Sequence, residues 1–263
     1  MPLDKAQIRQ SFSAASTTYD PAADLQRTVG YALLDNVDSN ISGILLDIGC
    51  GTGFLTTELC RFNPEQIIAL DIALPMLQIT RDKLGSLNTL CEPQATLLCA
   101  DAEALPLASH SVNHVFSSLA LQWCSNLPAV FCHIKRILKP NGQFVFSTFA
   151  PQTLQELKAA WASVDNYSHV NDFDDAEQLE KLLRNAGFAN IAITRTLYTR
   201  YYDSVLALMR ELKQIGAHNV RSERNKYCTR KTTMQQMITA YEAAYRVNGK
   251  IPASFEVFMI VVS

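Results

Sequence analysis

Three alternate glycines follow an apolar run near residue 50, in the segment Asp47-Ile-Gly-Cys-Gly-Thr-Gly. Glycine lets backbone N–H groups approach a ligand closely where a strand ends and a helix begins. Open α/β sheets bind their ligands at that edge. The spacing therefore predicts a small-molecule site with Gly49, Cys50 and Gly51 in contact with the ligand, rather than a plain tight turn.

Three aspartates stand at the ends of successive apolar runs. Asp47 precedes the first glycine by two residues, Asp71 ends the next run, and Asp101 follows the third. The dinucleotide pattern G-x-G-x-x-G has its third glycine one residue later, and Asp47 would repel a pyrophosphate. These features disfavour an NAD(P) oxidoreductase and suit a ligand that carries positive charge. Asp71 and Asp101 could instead each cap the helix that follows.

The elements that position these residues alternate between strand and helix. Short, bounded apolar runs predict five buried strands, at 43–48, 66–71, 95–99, 114–118 and 143–149. Helical patterns lie between and after them, at 54–61, 75–84, 127–138, 154–164 and 176–186. Residues 139–142 (KPNG) predict a turn before the fifth strand. The alternation predicts an α/β fold, a doubly wound parallel sheet with right-handed crossovers.

The chain after residue 194 differs from the rest in charge and in pattern. Residues 1–194 carry 12 basic and 20 acidic side chains, whereas residues 195–263 carry 11 and 5. Strands are predicted at 190–199 and 255–262, and the segment between them contains helical patterns at 204–215 and 232–245. We expect this insertion to be a lid whose basic surface attracts an acidic partner.

Composition excludes several classes of protein. Hydrophobic residues make up 48% and charged residues 18% of the chain, which excludes a disordered, collagen-like or coiled-coil protein. No apolar run approaches the roughly 20 residues of a membrane span, and the N-terminus lacks a secretory pattern. Seven cysteines without a CxxC pair predict a cytoplasmic protein without a disulfide framework or a metal site. Four of the five histidines are scattered and predict no site: His110, His114, His133 and His169.

From residue 43 to residue 149 the chain resembles class I S-adenosylmethionine-dependent methyltransferases, in its glycine loop and its strand-end aspartates. The resemblance implies S-adenosyl-L-methionine as the cofactor and a Rossmann-like seven-stranded sheet whose last strand is antiparallel. It also implies one domain over residues 1–263. Its parts would be an N-terminal helical segment (1–40), a cofactor-binding core (41–150) and helical lid insertions (151–175 and 201–253).

The same resemblance implies a set of cofactor contacts. Asp47 and the glycine loop face the cationic end of the cofactor, and Asp71 accepts hydrogen bonds from both ribose hydroxyls. Asp101, with the backbone of Ala102 beside it, caps the adenine amino group. Apolar side chains that pack against the cofactor complete the set: Ile72, Met76 and Leu119.

Three further segments resemble the malonyl-acyl-carrier-protein O-methyltransferases of biotin synthesis, and they lie at 12–26, 119–127 (LALQWCSNL) and 209–218 (MRELKQIGAH). This resemblance implies methyl transfer to the free carboxylate of a malonyl thioester, carried by acyl carrier protein or by coenzyme A. Such a carboxylate is ionised at neutral pH and needs no general base. The protein would align the reactants and exclude water.

The malonyl-transferase resemblance also places residues at the transfer site. Tyr19 lines it, Gln26 reaches the methionine carboxylate, and Gln122 and Trp123 face it. Arg210 supplies a fork of hydrogen-bond donors to the substrate. Basic side chains of the tail form the expected dock for an acidic carrier protein: Arg200, Arg210, Lys213 and Arg221. The alternatives are an amphipathic helix for Tyr19 and Gln26, a core position for Trp123, and a solvated helix surface for Arg210.

Competing functions stay open at this point. A methyltransferase for a free small acid such as trans-aconitate is one, since LQW also occurs in that group. A non-catalytic cofactor-binding module is disfavoured, because such a protein would be expected to lose the three strand-end aspartates, and all three are present. A nucleic-acid methyltransferase is disfavoured, because no Asn/Asp-Pro-Pro-aromatic tetrapeptide follows the fourth strand. We expect neither a nucleic acid nor a membrane as partner.

Overall fold

A computed structural model describes residues 4–37, 41–86, 94–217 and 230–263. Seven strands of these residues form one sheet in the order β3-β2-β1-β4-β5-β7-β6. Their bounds are β1 Ile44–Ile48, β2 Gln66–Asp71, β3 Gln94–Cys99, β4 Val112–Ser118, β5 Leu138–Phe149, β6 Ile191–Tyr202 and β7 Ile251–Val262. Strands β1 to β5 are parallel, and β7 runs antiparallel to both β5 and β6. The doubly wound sheet with an antiparallel last strand is therefore confirmed.

The described residues form nine α-helices: α1 Lys5–Ala22, α2 Asp24–Leu34, α3 Phe54–Leu59, α4 Leu74–Ser86, α5 Leu127–Ile137, α6 Gln155–Ala162, α7 Ala176–Asn185, α8 Val205–Gln214 and α9 Lys231–Tyr245. Side-chain oxygens of Asn126, Asp175 and Ser204 accept backbone N–H groups at the starts of α5, α7 and α8, which satisfies donors that the helices leave unpaired. These helices lie close to the predicted bounds.

The core lies on both faces of the sheet. On one face, side chains of α2, α3, α6, α8 and α9 form one apolar cluster with the sheet. On the other face, α5 and α7 form a second cluster. Strands β1 and β2 contribute to both clusters, and all but their first residues are buried. This two-sided burial explains why both strands are continuous apolar runs rather than alternating ones.

The turn predicted at residues 139–142 is wrong, because these residues belong to strand β5. Val112 of β4 pairs with Leu138 and His114 pairs with Gln143, so β5 carries three extra residues between two pairs. Asn141 has a φ of 62°, a conformation that asparagine tolerates. The proline and glycine therefore mark a wide bulge, which local composition does not distinguish from a turn.

Helix α1 contacts the end of α8, one of the helices in the segment predicted to form a lid. The hydroxyl of Thr18 donates to the carbonyl of Gln214, at the end of α8, over 2.9 Å. Gly216 has a φ of 74°, and a Cβ atom there would lie 3.1 Å from Cδ1 of Phe12 and 3.2 Å from Cβ of Ala15. A glycine is thus required by both conformation and space. No helix within the described residues is long and apolar enough to cross a bilayer.

Candidate active site

A cleft lies at the carboxyl ends of β1, β2 and β4, where the strand order changes direction. It holds about 760 Å³ of empty space, solvent at its mouth included. This is the edge at which open α/β sheets bind ligands. The cleft brings together ten of the residues predicted from the sequence: Tyr19, Gly49, Gly51, Asp71, Ile72, Met76, Asp101, Ala102, Leu119 and Trp123.

Two glycines shape the floor of the cleft for different reasons. Gly49 has a φ of 71°, and a Cβ atom there would lie 2.3 Å from Cβ of Ala120. Gly51 has a φ of 55°, yet a Cβ atom there would meet nothing within 4 Å. The first glycine allows β1 and the loop after β4 to approach closely, and the second leaves space for a ligand against the backbone.

A smaller cavity of about 470 Å³ adjoins the cleft beside the glycine loop. This loop cavity is lined by Gln26, Asp47 and Cys50, and it shares Tyr19 and Gly51 with the cleft. The Oε1 atom of Gln26 and the Oδ1 atom of Asp47 are buried without a hydrogen-bond partner among the described residues. Buried acceptors of this kind are costly, so the loop cavity suits a ligand that donates hydrogen bonds.

The carboxylate of Asp47 is 1% exposed. Its Oδ2 atom accepts a hydrogen bond from the hydroxyl of Thr56 over 2.6 Å. Burial, and to a lesser degree the nearby charge of Asp71, raise the pKa of Asp47 to about 7 against the lowering effect of Thr56. A cationic ligand would favour the ionised form and lower this pKa again.

Asp71 faces the cleft with backbone donors on both carboxylate oxygens. Gly51 donates its N–H to Oδ2 over 2.9 Å, and Ala73 donates its N–H to Oδ1 over 2.8 Å. Burial raises the pKa of Asp71 although these N–H groups lower it. Each carboxylate oxygen has a second lone pair, so Asp71 orders the loop and keeps capacity for ligand hydroxyls.

The N-terminal helix contributes cleft residues that sequence reasoning missed. Lys5, Ile8 and Phe12 of α1 line the cleft. The Nζ atom of Lys5 lies 2.5 Å from Asp101 Oδ2 and 2.8 Å from Glu103 Oε2. Burial lowers the pKa of Lys5, but the hydrogen bonds to both carboxylates outweigh it and raise that pKa. The amphipathic pattern of residues 5–22 was the available signal, and it does not tell which surface the helix covers.

Tyr19 lies near the end of α1, at the boundary between the cleft and the loop cavity. Its neighbour Asp20 accepts a hydrogen bond from Thr52 over 2.6 Å and pairs with Lys83 over 2.7 Å. These two contacts hold the end of α1 against the glycine loop and against α4. Burial, with the charges of Asp71 and Asp20, raises the pKa of Tyr19, so its phenol stays protonated.

A third cavity of about 670 Å³, named the lid cavity, is lined in part by residues of α8 in the predicted lid segment. This lid cavity shares Trp123 with the cleft and Gln26 with the loop cavity. Most of its lining side chains are apolar, and they come from α2, α6, α8 and the strands β5 and β7. The ring of Trp123 lies 5.3 Å from the ring of Phe12, edge to face, so Trp123 stands where the cleft, the lid cavity and α1 meet.

Several predicted residues lie outside these cavities. Gln122 donates its amide to the carbonyl of Leu119 over 2.6 Å and supports that residue, whose φ is 48°. Gln122 lines a separate surface pocket rather than the cleft. The basic residues are dispersed. Arg210 and Lys213 are exposed on α8, Arg200 lies 3.4 Å from Asp24, and Arg221 is outside the described residues.

Two cysteines line the cavities, Cys124 in the cleft and Cys50 in the loop cavity. Burial first, and nearby carboxylates second, raise the pKa of the Cys124 thiol to about 12. The same causes raise the pKa of Cys50 well above its usual value. Both thiols are therefore protonated and weakly nucleophilic, which argues against covalent catalysis by cysteine.

The residues present fit the cofactor that the sequence resemblance implies. An acceptor oxygen of Asp47 without a donor suits an ammonium group. Asp71 and Asp101 offer acceptors for hydroxyl and amino groups along the same cleft. Ile72 and Met76 supply apolar contact between these polar groups.

Comparisons with known proteins identify the family and the fold of this chain. A family model described as a methyltransferase domain matches residues 46–146. The chain is 41% identical over 261 residues to a biotin biosynthesis bifunctional protein BioHC of Cellvibrio japonicus, across 98% of this chain and 50% of that protein. This chain thus spans about half the length of that relative.

Two further likenesses concern the family and the fold. A malonyl-[acyl-carrier protein] O-methyltransferase of Gallionella capsiferriformans is 39% identical over 97% of this chain and 89% of its own length. The structure of phosphoethanolamine N-methyltransferase 2 of Haemonchus contortus, in complex with S-adenosyl-L-methionine, matches with a TM-score of 0.58. At 16% identity it covers 95% of this chain and 57% of that one and supports the fold alone. Because the likeness to the Gallionella protein extends over nearly all of both chains, this chain belongs to the malonyl-[acyl-carrier protein] O-methyltransferase family.

Proposed function

We propose that this protein transfers the methyl group of S-adenosyl-L-methionine to the free carboxylate of a malonyl thioester, with malonyl-acyl carrier protein as the substrate in biotin synthesis. The observation that carries the proposal is the buried Oδ1 atom of Asp47, just before the glycine loop, which has no hydrogen-bond donor among the residues that the structure describes. When bound, the cofactor supplies an activated methyl group on a sulfonium. Asp47 would hold its ammonium, and Gln26 would reach its methionine end.

The protein's part in this reaction is positioning. The malonyl carboxylate is already ionised at neutral pH, so no general base is required. Tyr19 and Trp123 stand at the boundaries between the cavities, where they would exclude water and align the reacting groups. Correct alignment of two reactants contributes as much as about 7–11 kcal/mol to catalysis. The protonated phenol of Tyr19 acts as a hydrogen-bond donor and not as a base.

The lid cavity favours a thioester over a free polycarboxylate. Its lining is mostly apolar and includes Leu25, Leu157 and Phe255. Trans-aconitate carries three carboxylates, and each would lose hydration without enough donors to replace it. A malonyl thioester brings one carboxylate and an otherwise uncharged acyl arm. The free-acid methyltransferase is therefore the second candidate.

The basic residues of α8 and β6 are assigned to docking of the acidic carrier protein. Arg210 and Lys213 are exposed on one helix, next to lid-cavity residues Glu211 and Leu212. Arg200 and Arg221 extend the same basic stretch of sequence. Charged residues at the rim of an interface speed association and select partners. We therefore rank acyl carrier protein before coenzyme A as the carrier of the malonyl group that is methylated.

Two further properties complete the proposal. We take residues 1–263 as one domain, because the sheet receives strands from both halves of the chain. We place the protein in the cytoplasm, where reducing conditions keep cysteines such as Cys50 and Cys99 as free thiols.

The test is incubation with labelled S-adenosyl-L-methionine and a panel of acceptors. The panel contains malonyl-acyl carrier protein, malonyl-coenzyme A, acetyl-coenzyme A, malonate and trans-aconitate. The proposal predicts label on the malonyl thioesters and none on acetyl-coenzyme A, which lacks a free carboxylate. Label on malonate or trans-aconitate alone would replace the proposal by the free-acid function.

A further inference from the structure

We propose that His169 and Asn171 hold one oxygen of the malonyl carboxylate in the lid cavity and leave the other oxygen free to accept the methyl group. Both residues line this cavity, and both lie in the stretch between α6 and α7. This inference rests on the proposed function and deepens it, because it names the side chains that recognise the acceptor.

His169 is fixed in place by two neighbours. Its ring stacks on the ring of Trp161 with centroids 3.6 Å apart and an interplanar angle of 8°. Its Nε2 atom lies 2.9 Å from Asp165 Oδ1 and 3.1 Å from Oδ2. An imidazole that donates one N–H to a carboxylate is fixed in orientation. In the proposed complex the ring carries a proton on both nitrogens, so that Nε2–H donates to Asp165 and Nδ1–H donates to the ligand.

Asn171 supplies the second contact. Its Oδ1 atom is buried and has no hydrogen-bond partner within the described part of the chain. The two ends of an asparagine amide have the same shape, and rotation about the last side-chain bond presents an N–H donor in place of the oxygen. A carboxylate that enters the cavity would therefore find a donor at a position that the protein itself leaves unpaired.

The loop between α6 and α7 has little regular structure and is nevertheless tied down. Tyr167 donates its N–H to Asp165 Oδ1 over 3.0 Å, and the hydroxyl of Ser168 donates to the carbonyl of Val170 over 3.0 Å. The ring of Phe173 lies 5.5 Å from the ring of Phe149 on β5. These contacts preorganise His169 and Asn171 at the wall of the cavity, as a binding site requires.

The residue types that line the lid cavity favour His169 as the partner of an anion. Among the described residues that line the cavity, His169 is the only one that can carry a positive charge. Glu211 is the only acidic one, and its Oε1 atom already accepts the hydroxyl of Tyr202 over 2.6 Å. A carboxylate moved from water into an apolar cavity needs donors, and in the proposed complex His169 and Asn171 provide two of them. The cavity meets the cleft at Trp123, so the second oxygen has a route to the cofactor.

The experiment compares His169→Gln and Asn171→Ala with matched controls in the full chain. His133→Gln changes a histidine on the outer part of α5, and Asn166→Ala changes an exposed asparagine of the same loop. For each variant we would measure KM and kcat with malonyl-coenzyme A. Calorimetry would give the affinity for S-adenosylhomocysteine, and then for malonyl- and acetyl-coenzyme A added to that complex.

The inference predicts at least a tenfold rise in KM and in the malonyl-coenzyme A dissociation constant for both site variants. Affinity for S-adenosylhomocysteine should stay within twofold of wild type, and the preference for the malonyl over the acetyl thioester should be lost. Both controls should match wild type. If His169→Gln does not fold, Asn171→Ala decides the question by itself.

Two results would overturn the inference and leave the proposed function standing. One is an unchanged KM and an unchanged malonyl preference in the site variants. The other is an equal loss of affinity for S-adenosylhomocysteine, which would indicate a structural role. If the wild-type protein methylates no malonyl thioester while it binds S-adenosylhomocysteine, the proposed function fails, and the inference fails with it.

Discussion

The hydroxyl of Thr56 donates to Oδ2 of Asp47 over 2.6 Å, and Oδ1 of the same carboxylate is buried without a hydrogen-bond partner in the part of the chain that the structure describes. Thr56 is on α3 and is fully buried, so this contact fixes the orientation of the carboxylate toward the loop cavity. This arrangement leaves one carboxylate oxygen available to a cationic ligand. It also makes the affinity for the cofactor depend on pH.

Cofactor binding should weaken as the pH falls from 7 to 6. The pKa of Asp47 is raised to about 7, so the carboxyl group is largely protonated at pH 6, and an ammonium ligand must displace the proton. Linkage then predicts an affinity for S-adenosylhomocysteine about fivefold lower at pH 6 than at pH 7. Calorimetry at the two pH values measures this ratio.

Asp47→Asn is the control for that dependence. Loss of a hydrogen bond to a charged group should weaken binding about tenfold or more, and the remaining affinity should be the same at pH 6 and pH 7. In the absence of ligand, pH acts in the opposite direction on the stability of the folded protein. The folded protein holds the Asp47 proton to a higher pH than the unfolded chain, so this group's contribution to stability decreases as the pH rises from about 4 to 7. A wild-type affinity independent of pH would show that Asp47 does not bind the cation.

Gly51→Ala should separate space for the ligand from backbone strain. A Cβ atom at Gly51 meets nothing in the free protein, but it projects from the backbone that lines both the cleft and the loop cavity. We expect at least a tenfold loss of affinity for S-adenosylhomocysteine. The positive φ should also cost about 1–2 kcal/mol of stability, measurable by denaturant unfolding.

Gly249→Ala is matched to that variant, because Gly249 has a φ of 79° and equally open space around its Cβ position. It lies in the turn before β7, outside the residues that line the cavities. It should lose similar stability and keep wild-type cofactor affinity. Equal affinities in the two variants would mean that the ligand does not approach Gly51.

Lys5→Ala should loosen the first turns of α1 with little effect on global stability. The ion pairs of Lys5 with Asp101 and Glu103 are partly exposed, and pairs of this kind contribute less than about 1 kcal/mol. Amide hydrogen exchange over residues 5–12 should nevertheless become faster. Arg9→Ala, on an exposed position of the same helix, should leave exchange unchanged. If both variants exchange like wild type, other contacts hold α1 over the cleft.

Lys213→Glu should weaken use of the carrier-bound substrate alone. A reversed charge at a docking rim slows association, so KM for malonyl-acyl carrier protein should rise about fivefold and depend less on salt. KM for a malonyl thioester of N-acetylcysteamine, which lacks the carrier, should not change. Lys181→Glu, exposed on α7, is the control.

Arg210→Ala should follow the pattern of Lys213→Glu if Arg210 belongs to the docking surface. A lower kcat with the small thioester would instead favour the substrate contact predicted from the sequence. The two outcomes are distinguished by assays with both acceptors at one salt concentration.

The glycine loop and the three strand-end aspartates could be predicted from the sequence, because their chemistry depends on residue type at fixed spacing along consecutive strands. Parallel strands then bring their ends to one edge whatever the details of packing. The antiparallel last strand was predicted from the family resemblance rather than from this spacing, and the order of the strands came only from the structure. The KPNG segment was predicted wrongly, since a bulge and a turn use the same residues.

The side-chain directions of Gln122 and Trp123, just after β4, could not be predicted from the local sequence. Gln122 and Trp123 were both expected at the transfer site, but the structure turns Gln122 toward Leu119 and Thr148 and Trp123 toward the cleft. The short helical turn that contains them points successive side chains in different directions. A short loop of this kind has no side-chain periodicity, so the sequence does not show which of its residues faces the cleft.

The residue types and spacing of the chain by themselves determined an α/β sheet, a glycine loop and acceptors for a cationic cofactor. Only the tertiary structure decided which residues enclose the site. Lys5 comes to Asp101, a separation of 96 residues, because the packing of α1 carries it there. His169 becomes a candidate ligand through its contacts with Trp161 and Asp165 and its place on the cavity wall. Contacts of this kind depend on how helices pack across the sheet, and no local pattern records that packing.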